Sequence, residues 1–348
     1  MPLRQRDQAA VPITMADVAK RCGLSQPAVS QALSGKGRLN AETRARVVSI
    51  ARDLGYLPNV SARATRSGHL GCVGLLQSTA GWRSLLPSPL LDGIHDALAE
   101  RDMHLVVAKL ADEDLARAAF VPRILRERLA DGLIVNFNAA IPAGIRRLIR
   151  EHGVPAAWLN VRQEYDCVHP DDLGATAIAV RRLVELGHRR IAFADYSHAS
   201  EPGDAHYSVV DRRAGYQQAM IAAGLTPRLL VERNPVREDQ RIAFTRAWLG
   251  AADRPTAVVT YGNTIALPIL IAAASAGLSV PRDLSVISFS DLDARHLGLE
   301  LDVMVVPCQA MGRAAVDMLF ARARPRRGHP AQAIACAYVP GGSTAPPA

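Results

Sequence analysis

Residues 14–31 read TMADVAKRCGLSQPAVSQ, and this stretch decides the fold of the N-terminal part of the chain. Thr14 and a carboxylate three residues later have the spacing of a capping box at the start of a helix. Gly23 is placed to end that helix, because a left-handed C-terminal cap costs least for glycine. Ser25 can then cap a second short helix over residues 26–33, with proline tolerated in its first turn. Two short helices joined by a tight glycine-containing turn predict a helix-turn-helix.

A third helix completes this N-terminal unit. Asn40 can cap it, and apolar residues at positions 47, 50, 51 and 54 fall on one face and close a small core. In a helix-turn-helix, the second helix enters the DNA major groove with its N-terminal side chains at the base edges. Glutamine can pair with adenine, small apolar side chains can contact the thymine methyl, and hydroxyl or basic groups suit phosphates. The predicted DNA-binding residues of this unit are Thr14, Ser25, Gln26, Pro27, Ala28, Ser30, Gln31 and Arg38.

The positive charge of the chain is concentrated in the same region. Residues 1–70 contain eleven Lys and Arg against four Asp and Glu, whereas residues 71–348 contain 30 against 29. This asymmetry favours a polyanion-binding module attached to a nearly neutral body. A basic solvated face without a partner, or a three-helix domain that binds protein, would show part of the same pattern.

Length and composition limit the class of protein. The chain has 348 residues, 49% hydrophobic and 21% charged, which predicts two or three globular units and excludes a disordered, collagen-like or disulfide-stapled chain. No run reaches the ~18 apolar residues of a membrane span, and residues 1–20 lack the apolar segment of a secretory signal. The five cysteines are an odd number without C-x-x-C spacing, which favours reduced thiols. We therefore expect a soluble cytoplasmic protein.

Beyond residue 70, short apolar runs alternate with amphipathic stretches. Such alternation predicts parallel sheets covered by helices on both faces, with a ligand at the carboxyl ends of the strands. The length suits two subdomains of this kind. The predicted strands are residues 72–76, 104–108, 132–136, 156–159, 191–194, 229–232, 257–260 and 286–289, and the predicted helices are 90–100, 115–129, 173–186, 213–223, 242–249 and 265–276.

Several motifs together resemble the LacI/GalR family of bacterial transcriptional repressors, in order along residues 13–340. In the N-terminal unit these are ITMADVA at 13–19, GLS at 23–25, VS at 29–30, GYLPN at 55–59 and AR at 62–63. In the body they are DDLGA at 171–175, LGHRRI at 186–191, RRAGY at 212–216, PTAVV at 255–259 and LSVISF at 284–289. The resemblance implies a helix-turn-helix headpiece and a periplasmic-binding-protein-like core of two doubly wound parallel-sheet subdomains. It also implies a sequence-specific repressor that binds operator DNA as a homodimer, or a tetramer, under control of a small-molecule effector.

The same resemblance assigns a hinge after the Pro-Asn pair. In that family the hinge helix orders on operator DNA and pushes a leucine into the minor groove, which kinks the duplex. Thr65 stands at the leucine position, so we expect a weaker kink, or a wedge supplied by Leu57. A flexible linker is the alternative for this segment. The DNA-binding positions that the resemblance adds are Tyr56, Asn59, Ala62, Arg63 and Thr65.

The resemblance also places an effector site between the two subdomains. Arg212 stands at the effector-gripping arginine, and Ser290 stands where the family usually has an aspartate. Because no carboxylate would then face Arg212, we expect a neutral or anionic ligand rather than an ordinary monosaccharide. The alternatives are a surface ion pair of Arg212 with Asp211 or Asp239, a strand-end hydrogen bond for Ser290, and core packing for Trp82. The predicted effector-binding residues are Trp82, Leu86, Asn136, Arg212, Asn263 and Ser290.

Catalytic and cofactor motifs are missing from the sequence. It contains no G-x-G-x-x-G, Walker A, G-x-S-x-G or H-E-x-x-H pattern and no zinc-ligand spacing, so neither an enzyme nor a cofactor is expected. A stand-alone solute-binding protein is the alternative function. The predicted organisation is a disordered N-terminal tail (1–12), a headpiece (13–59), a hinge (60–70), a core (71–340) and a disordered C-terminal tail (341–348). Within the core, the predicted first subdomain is about 71–168 and 303–326, and the second about 169–298 and 331–340.

Overall fold

The computed structural model describes residues 13–35, 37, 39–57, 68–201, 203, 205–291, 300–321 and 328–348. The chain divides into two compact units, residues 1–70 and 71–348. Within the described residues, no helix combines the length and the apolar character needed to cross a bilayer.

Among the described residues of the N-terminal unit there are three helices: α1 (Met15–Cys22), α2 (Gln26–Leu33) and α3 (Ala41–Asp53). The predicted capping box is confirmed, because the Thr14 side chain accepts from the Asp17 backbone N–H while the Asp17 side chain accepts from that of Thr14. Gly23 ends α1 at φ 66°. The helix-turn-helix follows from these local signals and from a small core, in which Val18, Val29 and Val47, one from each helix, are fully buried.

The first sheet of the core is parallel throughout, in the order β11-β5-β4-β3-β1-β2. Helices cover both of its faces, as a buried parallel sheet requires. The strands are β1 (Cys72–Ser78), β2 (His104–Leu110), β3 (Gly132–Asn136), β4 (Ala156–Leu159), β5 (Cys167–Pro170) and β11 (Gln332–Ile334). The helices of this subdomain are α4 (Ser88–Ala99), α5 (Asp112–Ala116), α6 (Arg123–Arg126), α7 (Ala143–His152) and α12 (Cys308–Leu319).

The second sheet has the order β12-β10-β9-β8-β6-β7, and β12 is antiparallel to β10. Alternate strand residues face opposite layers: Val259 packs in the apolar cluster that holds α8 and α9, and Val258 packs in the cluster that holds α10 and α11. The strands are β6 (Ile191–Ala194), β7 (Leu229–Leu230), β8 (Ala257–Thr260), β9 (Ser285–Ser290), β10 (Asp302–Val305) and β12 (Ala337–Val339). The helices are α8 (Asp172–Glu185), α9 (Tyr207–Ala222), α10 (Arg241–Leu249) and α11 (Asn263–Ser275).

The predicted fold class is confirmed, but the predicted division between the subdomains is wrong at two places. Residues 303–305 were assigned to the first subdomain, yet β10 pairs with β9 of the second sheet. Residues 332–334 were assigned to the second, yet β11 pairs with β5 of the first. The chain therefore crosses between the sheets after β5, after β10 and after β11. The single helix predicted over 115–129 is also wrong, because the chain breaks between α5 and α6.

The C-terminal residues 341–348, predicted to be disordered, pack on the second subdomain. Asp302, with 1% of its surface exposed, accepts the backbone N–H groups of Gly341, Gly342 and Ser343 at 2.7–3.0 Å. Its other oxygen accepts the Tyr338 and Thr344 hydroxyls. Burial raises the pKa of Asp302, but these hydrogen bonds outweigh burial and hold it below its ordinary value. Gly341 and Gly342, which were predicted to lie in a disordered tail, instead donate hydrogen bonds to Asp302. The Asp302 carboxylate therefore anchors the C-terminal residues.

Replacing the anchor carboxylate should destabilise the core. In Asp302→Ala, three backbone N–H groups and two hydroxyls lose their acceptor, and we expect the free energy of unfolding to fall by about 2–4 kcal/mol. Urea denaturation followed by circular dichroism measures the change. Asp239→Ala, which removes an exposed ion-pair partner of Arg237, is the control and should stay within about 0.5 kcal/mol of the parent. An equal loss in both variants would contradict the anchor.

Candidate DNA-binding and effector sites

The start of α2 presents side chains to solvent. Ser25, Gln26, Pro27 and Gln31 are exposed, while Ala28 and Ser30 are partly buried. The cause is the helical period, since Val29 and Ala32 of the same helix point into the headpiece core with 0% and 2% exposed. The predicted base-reading residues thus share an exposed helix end.

Three predicted DNA-binding residues have structural duties in the headpiece. Thr14 and Ser25 are N-caps, and Ser25 Oγ accepts from the Ala28 backbone N–H at 3.4 Å. Their hydroxyls fix the residues at which α1 and α2 begin. Tyr56 is only 9% exposed and packs in the headpiece core. Burial of the ring stabilises the three helices, and the predicted contact of Tyr56 with DNA stays a prediction.

The remaining predicted DNA-binding positions lie outside the described residues. They are Arg38, Asn59, Ala62, Arg63 and Thr65. The predicted N-terminal tail and most of the predicted hinge also lie outside them. Leu57, the alternative wedge, is described and is 83% exposed.

Arg212 of α9 forms a buried ion pair. Its Nε donates to Asp172 Oδ1 at 2.6 Å, and its Nη1 donates to the Tyr261 carbonyl at 2.6 Å. The guanidinium carbon also lies 4.0 Å from the centre of the Phe289 ring. Asp172 is the first residue of α8, so the pair joins α8, α9 and the strand ends of the second sheet.

Two earlier expectations about Arg212 are therefore wrong. It was expected to lack a facing carboxylate, but Asp172 supplies one, with 1% of its surface exposed. The alternative of a surface ion pair with Asp211 or Asp239 also fails, because Asp211 pairs with Arg162 and Asp239 with Arg237. Burial opposes the charge of Arg212, but the Asp172 carboxylate outweighs burial and raises the pKa of the guanidinium, which stays charged.

Asn263 and Ser290 lie together at the carboxyl ends of β8 and β9. Asn263 Nδ2 donates to Ser290 Oγ at 2.9 Å, and Asn263 Oδ1 accepts from Ser288 Oγ at 2.8 Å. Ser288 Oγ also accepts a hydrogen bond from Thr260 Oγ1 at 3.0 Å. Ser290 thus makes the strand-end hydrogen bond that was given as its alternative role, and both ends of the Asn263 amide take part in the same network.

The predicted effector residues of the first subdomain surround the loop between β1 and α4. Asn136 is fully buried, and its amide donates to the carbonyls of Ser84 and Leu85 at 3.2 and 3.3 Å. Asn136 therefore holds this loop in place. Leu86 is partly buried against the apolar core. Trp82 is 62% exposed and stacks with the guanidinium of Arg83 at 4.3 Å, so core packing does not explain it.

Sequence reasoning missed the residues that connect the two subdomains. The Tyr207 hydroxyl donates to Asn160 Oδ1 at 3.0 Å, and His206 Nε2 donates to the Asn160 carbonyl at 3.0 Å. Arg162 and Asp211 form an ion pair across the same gap. Asn160 carried a signal, because it is a polar residue directly after a buried strand, where parallel sheets place ligands.

Two surface concavities among the described residues lie away from the predicted effector residues. One surface concavity lies beside Asp317 and His329, and another beside Arg233 and Phe244. Neither is lined by a predicted effector residue. Among the described residues, no cluster of three or more His, Cys, Asp or Glu could hold a metal ion.

His206 is held in its neutral form by the contacts between the subdomains. Because a carbonyl only accepts, Nε2 carries the proton, and Nδ1 accepts from Ser208. Burial, together with a smaller contribution from the nearby Arg212 charge, lowers the pKa of His206 from 6.5 to about 4. The neutral imidazole suits both of its hydrogen bonds.

This lowered pKa predicts a pH dependence of stability. Between pH 6.5 and 4 the unfolded chain binds the His206 proton and the folded chain does not, so folding weakens as the pH falls. At pH 5 we expect His206 to account for about 1–2 kcal/mol of this loss. Urea unfolding at pH 7 and pH 5 should show a smaller loss in His206→Gln than in the parent. The exposed His152→Gln variant is the control, and equal pH slopes in the parent and His206→Gln would contradict the assignment.

Family models match two parts of the chain. Residues 14–59 match the model described as "Bacterial regulatory proteins, lacI family", and residues 180–344 match the "Periplasmic binding protein-like domain". The first match contains α1 to α3, and the second contains the Arg212 and Asn263 region.

Curated relatives extend over most of the chain. The HTH-type transcriptional regulator AglR of Rhizobium meliloti (strain 1021) is 29% identical over 290 residues, which are 81% of this chain and 79% of that protein. The HTH-type transcriptional repressor PurR of Klebsiella pneumoniae (strain 342) is 26% identical over 317 residues, 89% of this chain and 90% of that one. Both relatives are named as transcriptional regulators and not as enzymes.

A solved structure shares the whole fold. The lac repressor dimer bound to operator and the anti-inducer ONPF has a TM-score of 0.75 with this chain at 22% identity, and the likeness covers 96% of this chain and 100% of that one. The headpiece model, the curated relatives and this fold agree with one another. The chain therefore combines a helix-turn-helix of the lacI family of bacterial regulatory proteins with a periplasmic-binding-protein-like domain.

Proposed function

We propose that this protein is a sequence-specific DNA-binding repressor whose affinity for its operator is controlled by a small-molecule effector. The observation that carries this proposal is the LacI-type helix-turn-helix with an exposed α2 end on the same chain as a two-subdomain ligand-binding fold. The protein acts by binding and not by catalysis, and it acts in the cytoplasm, where bacterial DNA lies. A stand-alone solute-binding protein would have no use for the basic headpiece.

The DNA contacts are proposed on two grounds. Exposure supports Ser25, Gln26, Pro27 and Gln31, and Ala28 and Ser30 flank them on the same helix. For Arg38, Asn59, Ala62, Arg63 and Thr65, the support is the family resemblance. Together they combine side chains that reach base edges with groups that bind phosphates.

The effector is proposed to bind between the two subdomains, at the carboxyl ends of the strands. Arg212, Asn263 and Ser290 approach this site from the second sheet, and Trp82 and Leu86 from the first. Binding would shift the relative closure of the subdomains only through unequal affinity for the open and closed states. The contacts of Asn160 with His206 and Tyr207 would differ between those states.

We further propose a homodimer that uses the outer face of α11. This helix is apolar on all sides: its inner residues Ile265 and Ile269 are fully buried, yet Leu267 and Ile271 are 47% and 45% exposed. They are four residues apart and so lie on one stripe. The structurally similar lac repressor is described as a dimer on operator DNA. A second copy of this chain would cover the stripe and supply the second headpiece for a near-palindromic site.

The dimer proposal predicts that a charge on this stripe weakens self-association. Leu267→Glu removes apolar burial worth about 1.5–3 kcal/mol, so we expect the dimer dissociation constant to rise at least about tenfold. Sedimentation equilibrium measures it. Ile221→Glu, at a 67% exposed apolar residue of α9, is the matched control. An unchanged dimer in Leu267→Glu, or an equal loss in both variants, would refute the assignment of this face.

The proposed function is tested by selecting DNA sites from a random library with the whole protein. We expect a near-palindrome whose affinity falls by about 10³–10⁵ between 50 and 200 mM salt, if the dimer makes roughly six to ten phosphate contacts. Gln26→Ala should relax one position in each half-site by about 1–3 kcal/mol, since a bidentate base contact is lost. Ser49→Ala on α3 is the control. Selection of no preferred sequence would contradict the function, and undiminished discrimination in Gln26→Ala would contradict its role.

A further inference from the structure

Asp172 carries a buried carboxylate oxygen that the fold leaves unused. Its Oδ1 accepts from Arg212 Nε at 2.6 Å, whereas its Oδ2 is buried and has no hydrogen-bond partner among the described residues. The side chain of Asp172 is 0% exposed. A buried charged oxygen without a donor is costly, so its presence points to a donor that arrives from outside the chain.

The arginines near the contact between the subdomains are already paired with carboxylates, and Asp171 and Asp291 add further carboxyl groups that interact with Asp172. Arg212 is paired with Asp172, Arg213 with Asp195, and Arg162 with Asp211. His206 is uncharged at neutral pH for the reasons given above. An anion bound here would therefore meet no unpaired arginine and would lie beside the Asp172 carboxylate, where like charges repel in a poorly solvated site.

The ion pair nevertheless offers both kinds of hydrogen bond to a ligand. On Arg212, Nε donates to Asp172 and one Nη1 proton donates to the Tyr261 carbonyl, which leaves the second Nη1 proton and the two Nη2 protons as remaining donors. On Asp172, Oδ2 is the remaining acceptor. A neutral group that donates and accepts at once, such as a hydroxyl or an amide, satisfies both, whereas a carboxylate or phosphate satisfies only the donor.

We propose that Asp172 is a specificity-determining residue of the effector site, which accepts a hydrogen bond from a neutral ligand and excludes anionic ones. The inference rests on the proposed effector site. It also reverses the expectation that an anion would suit Arg212, because the arginine is neutralised by a residue of the chain itself.

The variant Asp172→Asn tests this proposal, because it keeps the size of the side chain and an oxygen for Arg212 Nε but removes the negative charge. The probe is sulfate compared with chloride at equal ionic strength, with the melting temperature of the whole protein as the readout. We expect sulfate to stabilise Asp172→Asn by several degrees more than the parent. Asp253→Asn, whose carboxylate is 77% exposed, makes the same change in net charge and should behave as the parent does. The double variant Asp172→Asn/Arg212→Gln should lose the extra stabilisation.

Matched ligand pairs supply a second measurement on the unaltered protein. Galactose with galacturonate and glucose with glucuronate differ chiefly in one carboxylate. We expect neither acid to stabilise the parent, and any neutral member that does so should bind at least tenfold more weakly to Asp172→Asn. Stabilisation of the parent by an acid, or an identical sulfate response in the parent and Asp172→Asn, would overturn the proposal. Failure of the protein to select DNA would instead contradict the proposed function. The sulfate comparison could still be interpreted, because it measures the melting temperature without DNA.

Discussion

The ion pair between Asp172 and Arg212 is the interaction on which the edge of the second subdomain and the proposed effector site depend. Asp172 begins α8 directly after the chain leaves the first sheet, and Arg212 lies on α9. The guanidinium also contacts the Tyr261 carbonyl and the Phe289 ring, so the pair connects the ends of β8 and β9. Removing one member of a buried pair leaves an uncompensated charge, which typically costs about 3–5 kcal/mol. One interaction thus sets both the packing of this edge and the charge that a ligand would meet at the proposed effector site.

The three chain crossings explain how such a site could be coupled to a change in shape. Each sheet is completed by a strand that follows a crossing: β11 joins β5 after the second crossing, and β12 joins β10 after the last one. Between the sheets, direct polar contacts run through Asn160 and through Arg162 with Asp211. A ligand that altered the spacing of these contacts would shift the balance between closed and open arrangements.

Local signals explain why the headpiece was predictable. Thr14, Ser25 and Asn40 each accept from a backbone N–H three residues ahead. The start of each of these three helices is therefore determined by a segment of four residues. The same holds for strands such as β3 and β8, whose continuous apolar runs mark them. The missed strands β5, β10, β11 and β12 are short, and they are strands because a neighbouring strand offers hydrogen bonds. Their sequences alone do not distinguish them from loops.

The sequence by itself determined the helix-turn-helix and the plan of two α/β subdomains, because each depends on spacing along the chain, and the family resemblance added Arg212, Asn263 and Ser290 as candidate effector residues. Tertiary structure decided what those side chains do. The partner of Arg212 is 40 residues away in sequence, and Asp302 holds residues some 40 positions further on. The charge state of His206 likewise depends on burial against Asn160. Pairings at such separations are chosen by packing and desolvation, which no local pattern encodes.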